Sequence, residues 1–118
     1  MPGLSIHVVD VSRGVLCEGM AVAVYSLDAM GRETPVACGT ISPSGLLEDA
    51  ALSKSLEAGS YRAVFQVGEY YKSAGIALPK VPFLGVVTYD FGIDDPLQHY
   101  HLPMKVTPWG YSCFRGGA

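Results

Sequence analysis

The chain contains three histidines, His7, His99 and His101. Imidazole, with an unperturbed pKa near ~6.5, can take a proton from water at neutral pH and return it to a leaving group. His99 and His101 stand two residues apart in His99-Tyr100-His101-Leu102. In a strand that spacing sends both rings to one side, opposite Tyr100 and Leu102. His7 lies in Leu4-Ser5-Ile6-His7-Val8-Val9-Asp10 and stands opposite Leu4, Ile6 and Val8 by the same rule. Three uses of these imidazoles stay open on pattern alone. They can be polar residues of a solvated sheet face, or acid–base groups acting on water. They can also be zinc or copper ligands, an H-x-H pair completed by a third imidazole, although no carboxylate or cysteine stands beside them at ligand spacing.

Other reactive types are less well placed. Cys113 could be a nucleophile beside a histidine, but a cysteine on a half-buried strand ordinarily packs. Ser112 has no G-x-S-x-G elbow around it. Asp94-Asp95 precedes Pro96, as a turn requires. The fourteen glycines are scattered at turns and build no phosphate loop. Trp109, after Pro108, reads as turn packing or as a subunit contact.

The elements that must carry the histidines are strands. Period-two alternation runs through 4–10, 21–26, 61–67 and 99–106, and 85–91 is rich in β-branched and aromatic residues. A last short strand is expected over 111–114, after the turn Thr107-Pro108-Trp109-Gly110. Turns at Arg13-Gly14, Met30-Gly31, Ser42-Pro43-Ser44-Gly45, Ala58-Gly59 and Asp94-Asp95-Pro96 separate these runs. Short strands with turns this frequent indicate a β-sandwich or barrel. Only Gly68-Glu69-Tyr70-Tyr71-Lys72-Ser73-Ala74-Gly75 breaks the pattern, as about two helical turns stopped by a glycine.

A length of 118 residues predicts one domain spanning 1–118, with 49% hydrophobic and 16% charged residues. So few charges exclude disorder and favour burial of some surface against copies of the chain. The net charge of −3, without a basic run or basic–aromatic stripe, makes nucleic acid and anionic membrane poor partners. No apolar stretch approaches the ~18 residues of a membrane span. Nothing in Met1-Pro2-Gly3-Leu4-Ser5-Ile6-His7 reads as a secretory signal. Cys17, Cys38 and Cys113 are an odd, widely spaced set without a C-x-x-C pair, as expected of reduced thiols in a cytoplasmic compartment.

These segments together resemble a known family. Leu4-Ser5-Ile6-His7-Val8-Val9-Asp10 at one end is matched by His99-Tyr100-His101-Leu102-Pro103-Met104 and Tyr111-Ser112-Cys113-Phe114-Arg115-Gly116-Gly117 at the other. Between them, Gly59-Ser60-Tyr61-Arg62-Ala63-Val64-Phe65 leads into Gly68-Glu69-Tyr70-Tyr71, and Pro79 to Phe83 follows. The whole is similar to the transthyretin-related proteins, the 5-hydroxyisourate hydrolases. The H-Y-H-x-P segment followed by a terminal Y-S-x-Y-R-G-S is specific to that family. The resemblance implies an all-β, transthyretin-like sandwich of two four-stranded sheets with one short helix. It implies a homotetramer whose sites lie in a channel between dimers. It also implies hydrolysis of 5-hydroxyisourate, a cyclic amide formed by urate oxidation, without metal or cofactor. The family's catalytic residues fall on His7, His101 and Arg115, and the residues expected to line the substrate are His99, Leu46, Ser112, Phe114 and Gly117.

The sequence departs from the family at three places. The family's D-G-R turn reads Ser44-Gly45-Leu46, so an apolar side chain replaces a cation. The terminal Y-R-G-S reads Phe114-Arg115-Gly116-Gly117, without phenol or hydroxyl, and Ala118 moves the terminal carboxylate one residue on. Losing one well-placed oxyanion donor costs about 10²–10³ in turnover. Both imidazoles being kept, the expectation is a hydrolase of 5-hydroxyisourate or a related heterocycle, weakened or shifted in substrate. The alternatives are a non-catalytic small-molecule carrier, as transthyretin is, and a metal-binding module.

Overall fold

A computed structural model describes residues 2–117; Met1 and Ala118, and with Ala118 the displaced carboxylate, lie outside the described residues. The chain forms β1 (Gly3–Asp10), β2 (Val15–Leu16), β3 (Ala21–Leu27), β4 (Glu33–Thr40), β5 (Gly59–Gln66), α1 (Val67–Ser73), β6 (Val86–Ile93), β7 (His99–Thr107) and β8 (Gly110–Cys113), with one 3₁₀ turn at Ala50–Ser53. The strands make two four-stranded sheets, ordered β2-β1-β7-β8 and β4-β3-β5-β6. This is the all-β, transthyretin-like sandwich that the resemblance implies.

Alternation decides which face of each strand is buried. Leu4, Ile6 and Val8 of β1 and Leu102, Met104 and Val106 of β7 meet Val22 and Val24 of β3 and Ala63 and Phe65 of β5 in one core. The opposite faces of β1 and β7, which carry all three histidines, are therefore left for other work. Asp10 ends β1 as a fully buried carboxylate. It accepts from Ser12 Oγ at 2.6 Å and Arg13 Nε at 2.7 Å, and from the Ser12 amide at 2.9 Å. Burial pushes this carboxyl up, but these hydrogen bonds outweigh it and hold it below the usual aspartate range.

Two strands escape the alternation rule. β2 is only two residues long. β4 is an edge strand, mostly exposed, and its pairing with β3 shifts register between Val24 and Tyr25, where Pro35 sits opposite Tyr25. An edge tolerates a proline that a central strand would not, and an edge has little apolar pattern to read. The helix begins and ends slightly earlier than 68–75. Its buried Val67, Gly68 and Tyr71 dock it on the sandwich, and Gly75 closes it at φ +77°. Seven residues are too few to be helical without that docking.

The pairing that gathers the histidines is between β1 and β7. They run parallel, with Gly3 opposite His99, Ser5 opposite His101 and His7 opposite Pro103. This joins the first strand to the seventh across some ninety residues of intervening chain, a contact no local pattern encodes.

Candidate active site

His7, His99 and His101 lie on one face of the β1–β7 pair, on the side away from the core, and all three are half-buried. Ser5 lies among them. Its Oγ is 2.6 Å from Nδ1 of His101 and 2.9 Å from Nε2 of His99. His99 also presents Nδ1 to the carbonyl oxygen of Pro2 at 3.5 Å. The His101 pKa is lowered below the ordinary 6.5, chiefly by burial, with the positive charge that His7 and His99 can carry adding to the effect. The shift favours the neutral imidazole of His101. Among the described residues, neither its Nε2 nor the ring of His7 has a hydrogen-bond partner.

The free edge of β1 holds the segment around Leu46. Val8 donates its amide to Gly45 at 2.9 Å and Leu47 donates to Ile6 at 3.1 Å, bridging His7 to Leu46. Gly45 has φ +86°, and a Cβ there would lie 2.6 Å from His7 Nε2. At the other end of the site Gly116 donates its amide to the His101 carbonyl at 2.7 Å. A Cβ on Gly116 would lie 2.8 Å from His101 Cδ2. Two glycines thus fix how closely the backbone approaches each ring.

A groove of 310 Å³ opens beside the cluster, between Ser5 and His99 on one side and Leu46, Glu48 and Asp49 on the other. Among the described residues no lysine or arginine lines it. A larger concavity of 510 Å³ lies beside α1, among Gln66, Glu69 and Lys72, and contains no histidine.

The fold brings together His7, His101, His99 and Leu46, but not every expected site residue. Arg115 is exposed and engaged elsewhere. Its Nη2 donates to Gln98 Oε1 at 3.1 Å and to the His99 carbonyl at 3.2 Å, and its guanidinium lies 3.9 Å from the centroid of the Tyr100 ring. Tyr100 points into the core face of β7, so this cation is turned from the imidazoles of the same chain. Ser112 and Phe114 are exposed on and after β8, where Lys105 covers the Phe114 ring at 5.7 Å. Gly117 is exposed at the end of the tail. Burial pushes the Cys113 thiol up to about 12, which leaves no thiolate for nucleophilic work. Among the described residues no group of three or more His, Cys, Asp or Glu is arranged to hold a metal ion. Ser5 is the residue that sequence reasoning passed over, although in Ser5-Ile6-His7 the period of two puts it on the histidine face.

The sheet order and the imidazole-bearing outer face define a transthyretin-like sandwich with a candidate site for small-molecule chemistry. The chain belongs to the HIUase/Transthyretin family, whose model matches residues 4–116. It is 38% identical over 117 residues to the 5-hydroxyisourate hydrolase of Ralstonia nicotianae, covering 98% of this chain and 99% of that one. It is 37% identical to the 5-hydroxyisourate hydrolase of Deinococcus radiodurans, covering 98% and 96% of the two chains. Among solved structures it matches an (S)-allantoin synthase with a TM-score of 0.87 and 34% identity, covering 98% of this chain but only 43% of that one. Sea bream transthyretin, solved with thyroxine, superposes with a TM-score of 0.83 over 98% and 96% of the two chains, and its 24% identity speaks for the fold alone.

Proposed function

We propose that the protein hydrolyses a cyclic amide, 5-hydroxyisourate or a close heterocyclic relative, with His7 and His101 as the acid–base residues. The carrying observation is that these two imidazoles, from opposite ends of the chain, share one half-buried face of the β1–β7 pair. One ring takes a proton from water as its oxygen adds to the ring carbonyl. As the C–N bond breaks, the other ring gives a proton to the departing nitrogen, and the product is the ring-opened acid. The relatives named as 5-hydroxyisourate hydrolases, matched end to end, favour an enzyme over a carrier.

Leu46 beside His7, and a groove with Glu48 and Asp49 but no cation, support a substrate less anionic than the family's. In this reading His99 and Leu46, which line the groove, border the substrate, and Ser112, Phe114 and Gly117, outside that groove, are proposed to border it from the β8 side. Arg115 acts by pinning the tail, through the His99 carbonyl, so that Gly116 stays against His101.

β6 and β8 end their sheets as edge strands, and Val86, Trp109, Tyr111 and Phe114 are exposed on or beside them. This supports a homotetramer in which the histidine faces are covered by neighbouring copies. Among the described residues no helix is long and apolar enough to cross a membrane. All three cysteines are unpaired, which fits a reducing cytoplasm.

The test is to add the protein to urate with urate oxidase and follow decay of the transient intermediate, alongside His7→Ala and His101→Ala. Faster decay that either substitution abolishes is expected. Decay at the uncatalysed rate, with no ring opening of any other cyclic ureide tried, refutes the hydrolase reading.

A further inference from the structure

We propose that Ser5 is a positioning residue that holds His101 in the Nδ1–H tautomer, leaving His101 Nε2 as the nitrogen that takes the proton from water. The choice of His101 as the base rests on the hydrolase reading above; the tautomer itself does not.

Ser5 Oγ has a single hydrogen and two lone pairs, and it lies within hydrogen-bond distance of His101 Nδ1 and His99 Nε2 at once. It can donate to only one of them and must accept from the other. The Pro2 carbonyl selects between the two arrangements. A carbonyl only accepts, so the 3.5 Å approach of His99 Nδ1, a long contact, is favourable only when that nitrogen carries a hydrogen, and this favours the Nδ1–H form of His99. In neutral His99 the other nitrogen, Nε2, is then an acceptor, and the Ser5 hydroxyl donates to it. The remaining contact, the shorter one at 2.6 Å, must run from His101 Nδ1–H to Ser5 Oγ. The reverse arrangement would set a His99 lone pair against the Pro2 oxygen.

The result is a directed chain from His101 through Ser5 and His99 to the Pro2 carbonyl. His101 Nε2, without a partner among the described residues, is left unprotonated. Taking a proton at Nε2 makes His101 an imidazolium whose Nδ1–H is already on Ser5, so nothing needs to rearrange as charge develops. This direction belongs to neutral His99: once His99 is protonated its Nε2 donates to Ser5, and the hydroxyl hydrogen is free to turn to His101 Nδ1. The backbone serves the same end, since parallel register sets Ser5 directly abreast of His101.

The ionisable groups nearest His101 are His7 on β1 and His99 on β7, while the Arg115 charge is drawn off over Tyr100. None of them offers Nδ1 of His101 another acceptor. His7 is then left to protonate the departing nitrogen.

Ser5→Thr keeps the hydroxyl and Ser5→Val removes it at nearly the same shape, and both suit a strand. The experiment records long-range proton–nitrogen spectra of protein carrying nitrogen-15 histidine, above the pH at which the rings titrate, and steady-state kinetics of the same samples. His101 resonances are assigned with His7→Gln and His99→Gln. The wild type and Ser5→Thr are expected to show His101 with Nδ1 protonated and Nε2 bare. Ser5→Val should move the proton to Nε2 and lower kcat about 10–100-fold, the scale for losing a histidine's orienting partner, with KM little changed. A wild-type His101 carrying Nε2–H, or a Ser5→Val spectrum identical to wild type, overturns the proposal. A shifted tautomer with kcat unchanged overturns the assignment of His101 as base. Absence of any ring-opening activity in the wild type defeats the hydrolase reading and with it that assignment, while the spectra still decide the tautomer.

Discussion

Leu46 and His7 form a narrow antiparallel bridge on the edge of β1 that β7 does not use. The hydrogen bonds flanking this pair, rather than within it, make it the kind in which facing side chains come closest. An apolar side chain thus stands beside an imidazole at the position where the resemblance places a family arginine. If the reaction develops negative charge on the attacked carbonyl, Leu46→Arg should supply the missing donor. A gain of about 10²-fold in kcat/KM on 5-hydroxyisourate is expected, the lower end of what one oxyanion donor contributes. Steady-state kinetics on the variant and wild type, both checked for folding by circular dichroism, decide it. A folded variant with no gain would mean that the cation is not what limits this site.

Acidification should act on activity and stability through the same ring. His101 is held below 6.5 by burial and by the neighbouring His7 and His99. As a base it remains neutral until the pH falls through that lowered value, so the acid limb of kcat/KM should have its midpoint below 6.5. The sign for stability follows from linkage. Between the lowered folded value and 6.5 the unfolded chain binds more protons than the folded one, so stability falls as pH falls across that window. Above 6.5 the contribution is complete. Urea unfolding of wild type and His101→Gln over this range isolates the effect, because Asp10 and the other carboxylates cancel in the difference. The wild type should lose stability relative to the variant on acidification; a difference independent of pH would contradict the assignment.

The parts of this architecture that were legible in the sequence are those written in local alternation. Leu4, Ile6 and Val8, Tyr61, Ala63 and Phe65, and Leu102, Met104 and Val106 are all buried as period two requires. The histidines accordingly face away from the core. β4 stayed hidden because an edge strand with Pro35 and Gly39 has few buried positions to repeat. The convergence of His7 and His101 was beyond any local rule, since it depends on parallel pairing of β1 with β7. Motif resemblance supplied it instead. Ser5 carried a readable signal in its spacing from His7, but a hydroxyl acquires a role only once two ring nitrogens are seen around it. Arg115 shows the converse. Its motif placed it near the site, whereas the direction of its guanidinium is set by Tyr100, Gln98 and the His99 carbonyl.

Gly45 and Gly116 press on His7 and His101 from opposite ends of the site, and alanine at either should separate ring position from fold in different ways. At Gly45 the backbone is left-handed, φ +86°, and the added Cβ would meet His7 Nε2 at 2.6 Å and Leu16 Cδ2 at 2.8 Å. Gly45→Ala should therefore lower stability by about 1–2 kcal/mol from the conformation alone and displace His7 as well. Gly116 lies in the tail after β8, with no strained φ, and its added Cβ would meet His101 Cδ2 at 2.8 Å and Pro103 Cδ at 3.2 Å. Gly116→Ala should leave the melting temperature nearly unchanged while lowering kcat, because relief comes by moving the tail or turning the His101 ring. Gly85→Ala, with open space around its Cβ, is the control expected to change neither. Thermal unfolding and kinetics on the three variants give the comparison. Full activity in Gly116→Ala would show that close contact of the tail with His101 has no part in orienting that ring.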